Sequence, residues 1–186
     1  RRSKVFNQPI GSWDVSKVTN FSSMFVANTA FNQPLNTWDT TSATNMSAMF
    51  GRDGGSSIFN QDVSSWNTSN VTTMQRMFWN NTNFNQSLAN WNVSNVTNMS
   101  DMLTLAGLSI QNYDATLAGW SAQTLKPSVT LGATGLKYCA STAERASIIS
   151  TPWTISGDSV GCPGPVITIT APTKLDNGSI TNTTIQ

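Results

Sequence analysis

The sequence predicts an α/β solenoid: a stack of coils of about 25 residues each, closed at the C-terminal end by an α/β cap. Three observations predict it. The phrase Phe-Asn-Gln recurs at Phe6, Phe31, Phe59 and Phe84, at steps of 25, 28 and 25 residues. A Trp follows each Phe at the same distance, at Trp13, Trp38, Trp66 and Trp91. Val18, Ala43, Val71 and Val96 keep the same steps, as do Phe21, Met46, Met74 and Met99. The phrase then breaks after Met102, where Leu103 stands in place of the aromatic at Phe25, Phe50 and Phe78. No single repeat of this size buries its own apolar face, whereas stacked neighbours share a continuous core. The eight recurring Phe and Trp residues named above are its expected structural centre. The predicted organisation is four solenoid repeats over 1–103, a C-terminal cap over 104–162, and a linker with the start of a β-sandwich module over 163–186.

The first half of each repeat reads as extended. In Phe31 to Leu35, period two puts Phe31, Gln33 and Leu35 on one face and Asn32 and Pro34 on the other. The proline cannot donate to a ladder, so the strand is expected to be short or irregular. The second half has helical spacing. Val18, Phe21, Met24 and Phe25 fall on one side of a helical turn, with Asp14 and Ser16 or Asn92 and Ser94 supplying capping oxygens. The recurring Gln8, Gln33, Gln61 and Gln86 read either as an inward ladder bonded to neighbouring backbone or as a ligand-binding ladder. Asn20, Asn45 and Asn98 read as turn residues that bond their own backbone.

The cap follows a different pattern. Asn112 to Trp120 is amphipathic over a longer run and predicts a helix. Val129–Leu131 and Trp153–Ile155 read as strands. Ser141–Ile149 reads as a second helix, with Ser141 or Thr142 as N-cap and Glu144 in the first turn. The run Gly161 to Pro165 is linker-like, and Val166 to Thr170 alternates as a first strand does.

Composition narrows the function classes. Lys and Arg number 10, Asp and Glu 9, and charged residues are only 10%. That balance gives no electrostatic footprint for nucleic acid. No run approaches the roughly 20 apolar residues of a membrane span, so no membrane insertion is expected. There is no His, and Glu144 is the sole glutamate. A His-based metal site or a Ser-His-Asp triad is therefore unavailable, and no cofactor or metal is expected. The acids at Asp14 and Asp39 become Asn67 and Asn92 in later repeats, which suits turn capping better than a catalytic carboxylate pair. Cys139 and Cys162 stand 23 residues apart, outside any C-x-x-C pair. In an exported chain they read as a disulfide contributing about 3 kcal/mol, with two buried thiols as the alternative. Residues 1–5 align with 26–30 of the next repeat, so the chain reads as a monomeric module of something longer.

The run Phe84-Asn85-Gln86 through Trp91, Asn92, Val93, Ser94, Asn95, Val96, Thr97, Asn98, Met99 and Ser100 to Asp101-Met102 resembles a bacterial surface repeat formerly called a domain of unknown function. That repeat is grouped with BspA-like leucine-rich-repeat surface proteins. Asn112-Tyr113-Asp114, Gly119-Trp120, Tyr138-Cys139, Arg145-Ala146 and Trp153-Thr154-Ile155 resemble that family's C-terminal ending. The resemblance covers about residues 1 to 162. It implies a right-handed, leucine-rich-repeat-like coil stack on the bacterial cell surface, attached to host cells, matrix or other microbes. It brings no catalytic residues. Ile167 to Pro172 looks like the start of an immunoglobulin-like extender of a large adhesin.

Two departures from the phrase mark candidate ligand contacts. The second coil is longer by three residues within Gly51 to Ser57, and insertions in repeats map to loops on one face. Asp53 there is one carboxylate, too few for calcium. Trp79 is the one Trp outside the repeat and cap phrases, and Asn80 and Asn81 follow it. It reads as a sugar-stacking platform or as packing over the longer loop. The candidate contacts are Trp79, Asn80, Asn81, Arg52 and Asp53. The expected function is a non-enzymatic adhesion module that recognises a cell-surface glycan or an extended peptide. The alternative is a structural spacer in a large surface protein.

Overall fold

The computed structural model describes residues 3–51 and 57–164. Its long elements are few. Two helices, α1 (Ile110–Ser121) and α2 (Thr142–Ser150), and four short strands, β1 (Thr130–Gly132), β2 (Lys137–Tyr138), β3 (Thr154–Ser156) and β4 (Ser159–Val160), all follow the repeats. The repeats themselves are turns and extended segments.

Successive repeats lie side by side, and their aromatics form columns. Phe6, Phe31, Phe59 and Phe84 stack at 5.9, 6.1 and 6.4 Å between ring centroids. Phe25, Phe50 and Phe78 stack at 5.4 and 5.7 Å. Trp38, Trp66 and Trp91 stack at 6.3 Å each. The two Phe columns also touch, at 4.0 Å for Phe25–Phe31 and 3.7 Å for Phe78–Phe84. Each such pair adds about 0.5–1.5 kcal/mol beyond its buried area.

Polar atoms fix this register as well. The indole N–H groups of Trp38, Trp66 and Trp91 donate to the carbonyls of Ile10, Leu35 and Val63, one repeat earlier, at 2.9–3.0 Å. Trp120, on α1, donates in the same way to Leu88. The first cap helix therefore takes the next place in the ladder. Trp13 does not join the buried centre expected of it: it is 53% exposed. Trp38, by contrast, is buried and reaches back 28 residues for its acceptor.

The segment expected to be helical is a run of overlapping turns. Ser23, Ala48, Arg76 and Asp101 all sit at φ between 53° and 58°, the left-handed region that ends a right-handed helix. Ala27, Asn80 and Leu105 repeat that conformation four residues on. Alternate N–H groups then go two ways. Met24 and Val26 donate three residues back, to Phe21 and Ser23, while Phe21, Ser23, Phe25 and Ala27 donate forward to Asn45, Ser47, Met49 and Gly51. The next repeats continue the pattern, with Ala48 to Gln75 and Arg76 to Ser100. On the far side of the turn the sense reverses, and Thr44, Thr72 and Thr97 donate backward to Thr19, Thr44 and Thr72. Single parallel bridges join Asn20, Asn45, Thr73 and Asn98 in sequence.

The expected strand is likewise absent as a backbone ladder. Asparagine side chains join the extended segments instead. The Oδ1 of Asn7, Asn32, Asn60 and Asn85 accepts the backbone N–H of Asn32, Asn60, Asn85 and Ser109, one repeat on, at 2.7–3.0 Å. The same oxygens take Gln33, Gln61 and Gln86 Nε2. These glutamines are half-buried and bond asparagine side chains, with one further bond from Gln86 to the Asn60 carbonyl.

The cap is tied to the last repeat. Ser109 Oγ caps α1 by accepting from Asn112 N. Gly119 lets that helix approach closely, since a Cβ there would lie 2.3 Å from the Ala89 carbonyl oxygen. Strand β1 pairs in parallel with β3, and β2 with β4. Cys139 and Cys162, just beyond β2 and β4, form a disulfide with Cα atoms 4.7 Å apart. Ser141 stands at the start of α2, but its hydroxyl donates to Asp114 and caps nothing. Asp114 also accepts the N–H groups of Cys139, Ala140 and Ser141. Burial pushes its pKa up, yet these bonds outweigh burial and leave it below the usual carboxylate value. Arg145 makes a two-bond pair with the buried Asp158 at 2.6 and 2.7 Å, and Tyr113 Oη donates to the same carboxylate. Burial, then the Asp158 charge, raises the Tyr113 pKa well above its ordinary value.

Candidate ligand-binding edge

The turn column presents one side chain per repeat at each of its left-handed positions. In the first two repeats these are small: Ser23 and Ala27, then Ala48. In the next two they become Arg76, Asn80, Asp101 and Leu105. The position between them runs Val26, Gly51, Trp79 and Thr104. Asn and Asp tolerate the left-handed region better than most side chains, so Asn80 and Asp101 suit the turn, whereas the bulk and charge of Arg76 answer no need of it.

Those residues form one cluster. Arg76 Nε donates to Asp101 Oδ2 at 3.3 Å, across one repeat boundary. Its guanidinium lies over the Trp79 ring, 5.0 Å from the centroid. Thr104 Oγ1 reaches the other carboxylate oxygen of Asp101 at 3.4 Å. Arg76 and Asp101 are 49% and 43% exposed, a range in which ion pairs add little to stability. Leu105 is exposed beside them.

The expected contacts fare differently. Trp79 is half-buried, and Arg76 covers one face of its ring. Asn80 is half-buried and its N–H donates to Thr104 O. Asn81 is fully buried and its Nδ2 donates to Phe59 O, so it is a core residue and not a ligand contact. Its Oδ1 is buried with no hydrogen-bond partner among the described residues. Arg52 and Asp53 lie outside the described residues. Sequence reasoning missed Arg76 and Asp101. The signal available was their column, where Ser23 and Ala48 stand in the earlier repeats.

Two other concavities occur among the described residues. One, of about 180 Å³, lies in the first repeat between Phe6, Ile10, Trp13, Met24 and Phe25. The other, of about 230 Å³, lies on the cap between Asp114, Ala118, Ser141 and Glu144. The Asp114 oxygens are taken by the backbone and Ser141, which makes that carboxylate an anchor of the α2 start. Among the described residues, the other carboxylates of the repeats are spent in turns. Asp14, Asp39 and Asp62 each accept the N–H two residues on, as Asn67 and Asn92 do. Hydrogen bonds from Ser16, Thr41 and Ser64 hold the three acids below their ordinary pKa.

A family model described as "Mycoplasma protein of unknown function, DUF285" matches residues 1–120. The chain belongs to the DUF285 family. The match takes in every repeat and all but the last residue of α1. In this DUF285 chain the clustered residues Arg76, Trp79 and Asp101 thus fall within the family region, and α2 and β1–β4 fall beyond it. The family is bacterial, and its description assigns no activity. No curated protein and no solved structure matches the chain.

Proposed function

We propose that this chain is a non-enzymatic, ligand-binding adhesion module on a bacterial cell surface, recognising a glycan or an extended peptide of a host or microbial surface. Its scaffold is read as a leucine-rich-repeat-like solenoid of the BspA-like kind, with four repeats over 1–103 and a cap over 104–162. One observation carries the reading. The repeats satisfy their own polar groups through Asn, Thr and Trp ladders, while the side chains that depart from the pattern gather on one edge at Arg76, Trp79, Asp101 and Leu105. Extended stacks bind through such surfaces. The Cys139–Cys162 disulfide suits an oxidising compartment. A structural spacer is the second reading, favoured by the internally bonded ladders, and it predicts no ligand at all.

Glycan and peptide arrays probed with the chain, and with Trp79→Ala as control, separate the two. Weak single-site binding, strengthened by multivalent display and lost in the variant, is the expected result. Silence on both arrays removes the adhesion reading.

A further inference from the structure

We infer that the Arg76–Asp101 pair, held beside Trp79, reads a neutral pyranose through two adjacent hydroxyl groups. The inference rests on the adhesion reading and names the ligand class for it. Arg76 spends Nε on Asp101, and its terminal amino groups have no partner among the described residues. Those groups form a planar fork that donates two parallel hydrogen bonds. The carboxylate of Asp101 has room for about four hydrogen bonds and receives two, from Arg76 and Thr104. Donor and acceptor capacity therefore face solvent side by side. A vicinal diol needs both, because each hydroxyl donates one hydrogen bond and accepts others.

The local charge selects against ionic ligands. The two charges cancel within the pair, and Asp101 would repel a ligand carboxylate placed on the Arg76 fork. The neighbouring column positions, Ser23 and Ala48, carry no charge. The Trp79 ring lies against the guanidinium, 5.0 Å from centroid to Cζ, a contact that lowers the ordering cost when a ligand arrives. The pair is not required by the fold, because Ser23 and Ala48 hold the same backbone conformation without it.

The test uses calorimetric titration and arrays with neutral probes (methyl mannoside, methyl galactoside and neutral oligosaccharides) and acidic ones (sialyllactose and oligogalacturonate). The proteins are the unmodified chain, Arg76→Met, Asp101→Asn and Trp79→Phe, each checked by thermal melting. The expected result is binding of neutral probes, weakened about tenfold or more by either Arg76→Met or Asp101→Asn at an unchanged melting temperature. Binding confined to acidic probes, or neutral binding that survives both substitutions, overturns this inference and leaves the adhesion reading standing. Absence of glycan binding overturns this inference too. Peptide-array binding then decides whether the adhesion reading survives.

Discussion

The indole N–H of Trp66 donates to the carbonyl of Leu35 at 2.9 Å, from one repeat to the one before. Trp66→Phe keeps a ring in the column but removes this bond, leaving the Leu35 carbonyl with the Trp38 N–H alone. The expected loss is about 1 kcal/mol by urea unfolding. Trp13→Phe, at the exposed end, should cost under about 0.5 kcal/mol. Equal losses at the two positions would mean the ladder contributes nothing.

Asn32 Oδ1 serves both Asn60 N and Gln61 Nε2. Asn32→Ala should cost about 1–3 kcal/mol. Hydrogen exchange should locate the damage, with the Asn60 amide losing protection first. Normal protection there would show that the asparagine contact is dispensable.

Ala48 has φ 53°. In a helix interior, Ala→Gly costs about 1 kcal/mol. At a left-handed position the penalty on Cβ is relieved, so Ala48→Gly should raise stability by about 0.5 kcal/mol. A loss of stability would restore the helical reading of this segment.

The disulfide joins the ends of β2 and β4. Reduction should lower stability by about 3 kcal/mol. Amides of β2 and β4 should lose protection before those of the aromatic columns. A melting temperature indifferent to reductant would contradict this.

Asp14, Asp39, Asp62 and Asp114 all have folded pKa values below the ordinary 3.8. In the window between the folded and unfolded values the unfolded chain binds more protons, so stability rises with pH there. Their contribution is complete above the unfolded value and disappears as pH falls through the folded ones. Urea midpoints should therefore drop on acidification below about pH 4, and Asp114→Asn should flatten part of that drop. An unchanged acid limb in the variant would remove Asp114 from the account.

Recurrence made some of this legible. Phe31, Phe59 and Phe84 recur with Trp38, Trp66 and Trp91 at matched steps, and side chains at matched steps meet when repeats lie side by side. The turn segment misled because Val18, Phe21, Met24 and Phe25 fit a helix by spacing alone. What decides its conformation is Asn45, Ser47 and Met49 of the next repeat, which accept its N–H groups from 24 residues away in sequence. Local periodicity carries no trace of such partners. Period two places Asn32 on the face opposite Phe31 and Gln33, yet it is the joint between repeats. At the candidate edge Trp79 stood out by breaking the phrase. Asn81 was grouped with it by adjacency, although Asn80 and Asn81 differ in burial.

The two sides of each repeat donate in opposite senses. Phe21, Ser23 and Phe25 send N–H groups toward the cap, whereas Thr44, Asn32 and the Trp38 indole send theirs the other way. Peptide dipoles that align in a helix add into a macrodipole. Here opposed rows run along one axis and offset one another. Each added repeat brings rows of both senses, so the field at the ends of such an array grows more slowly with length than it does along a helix.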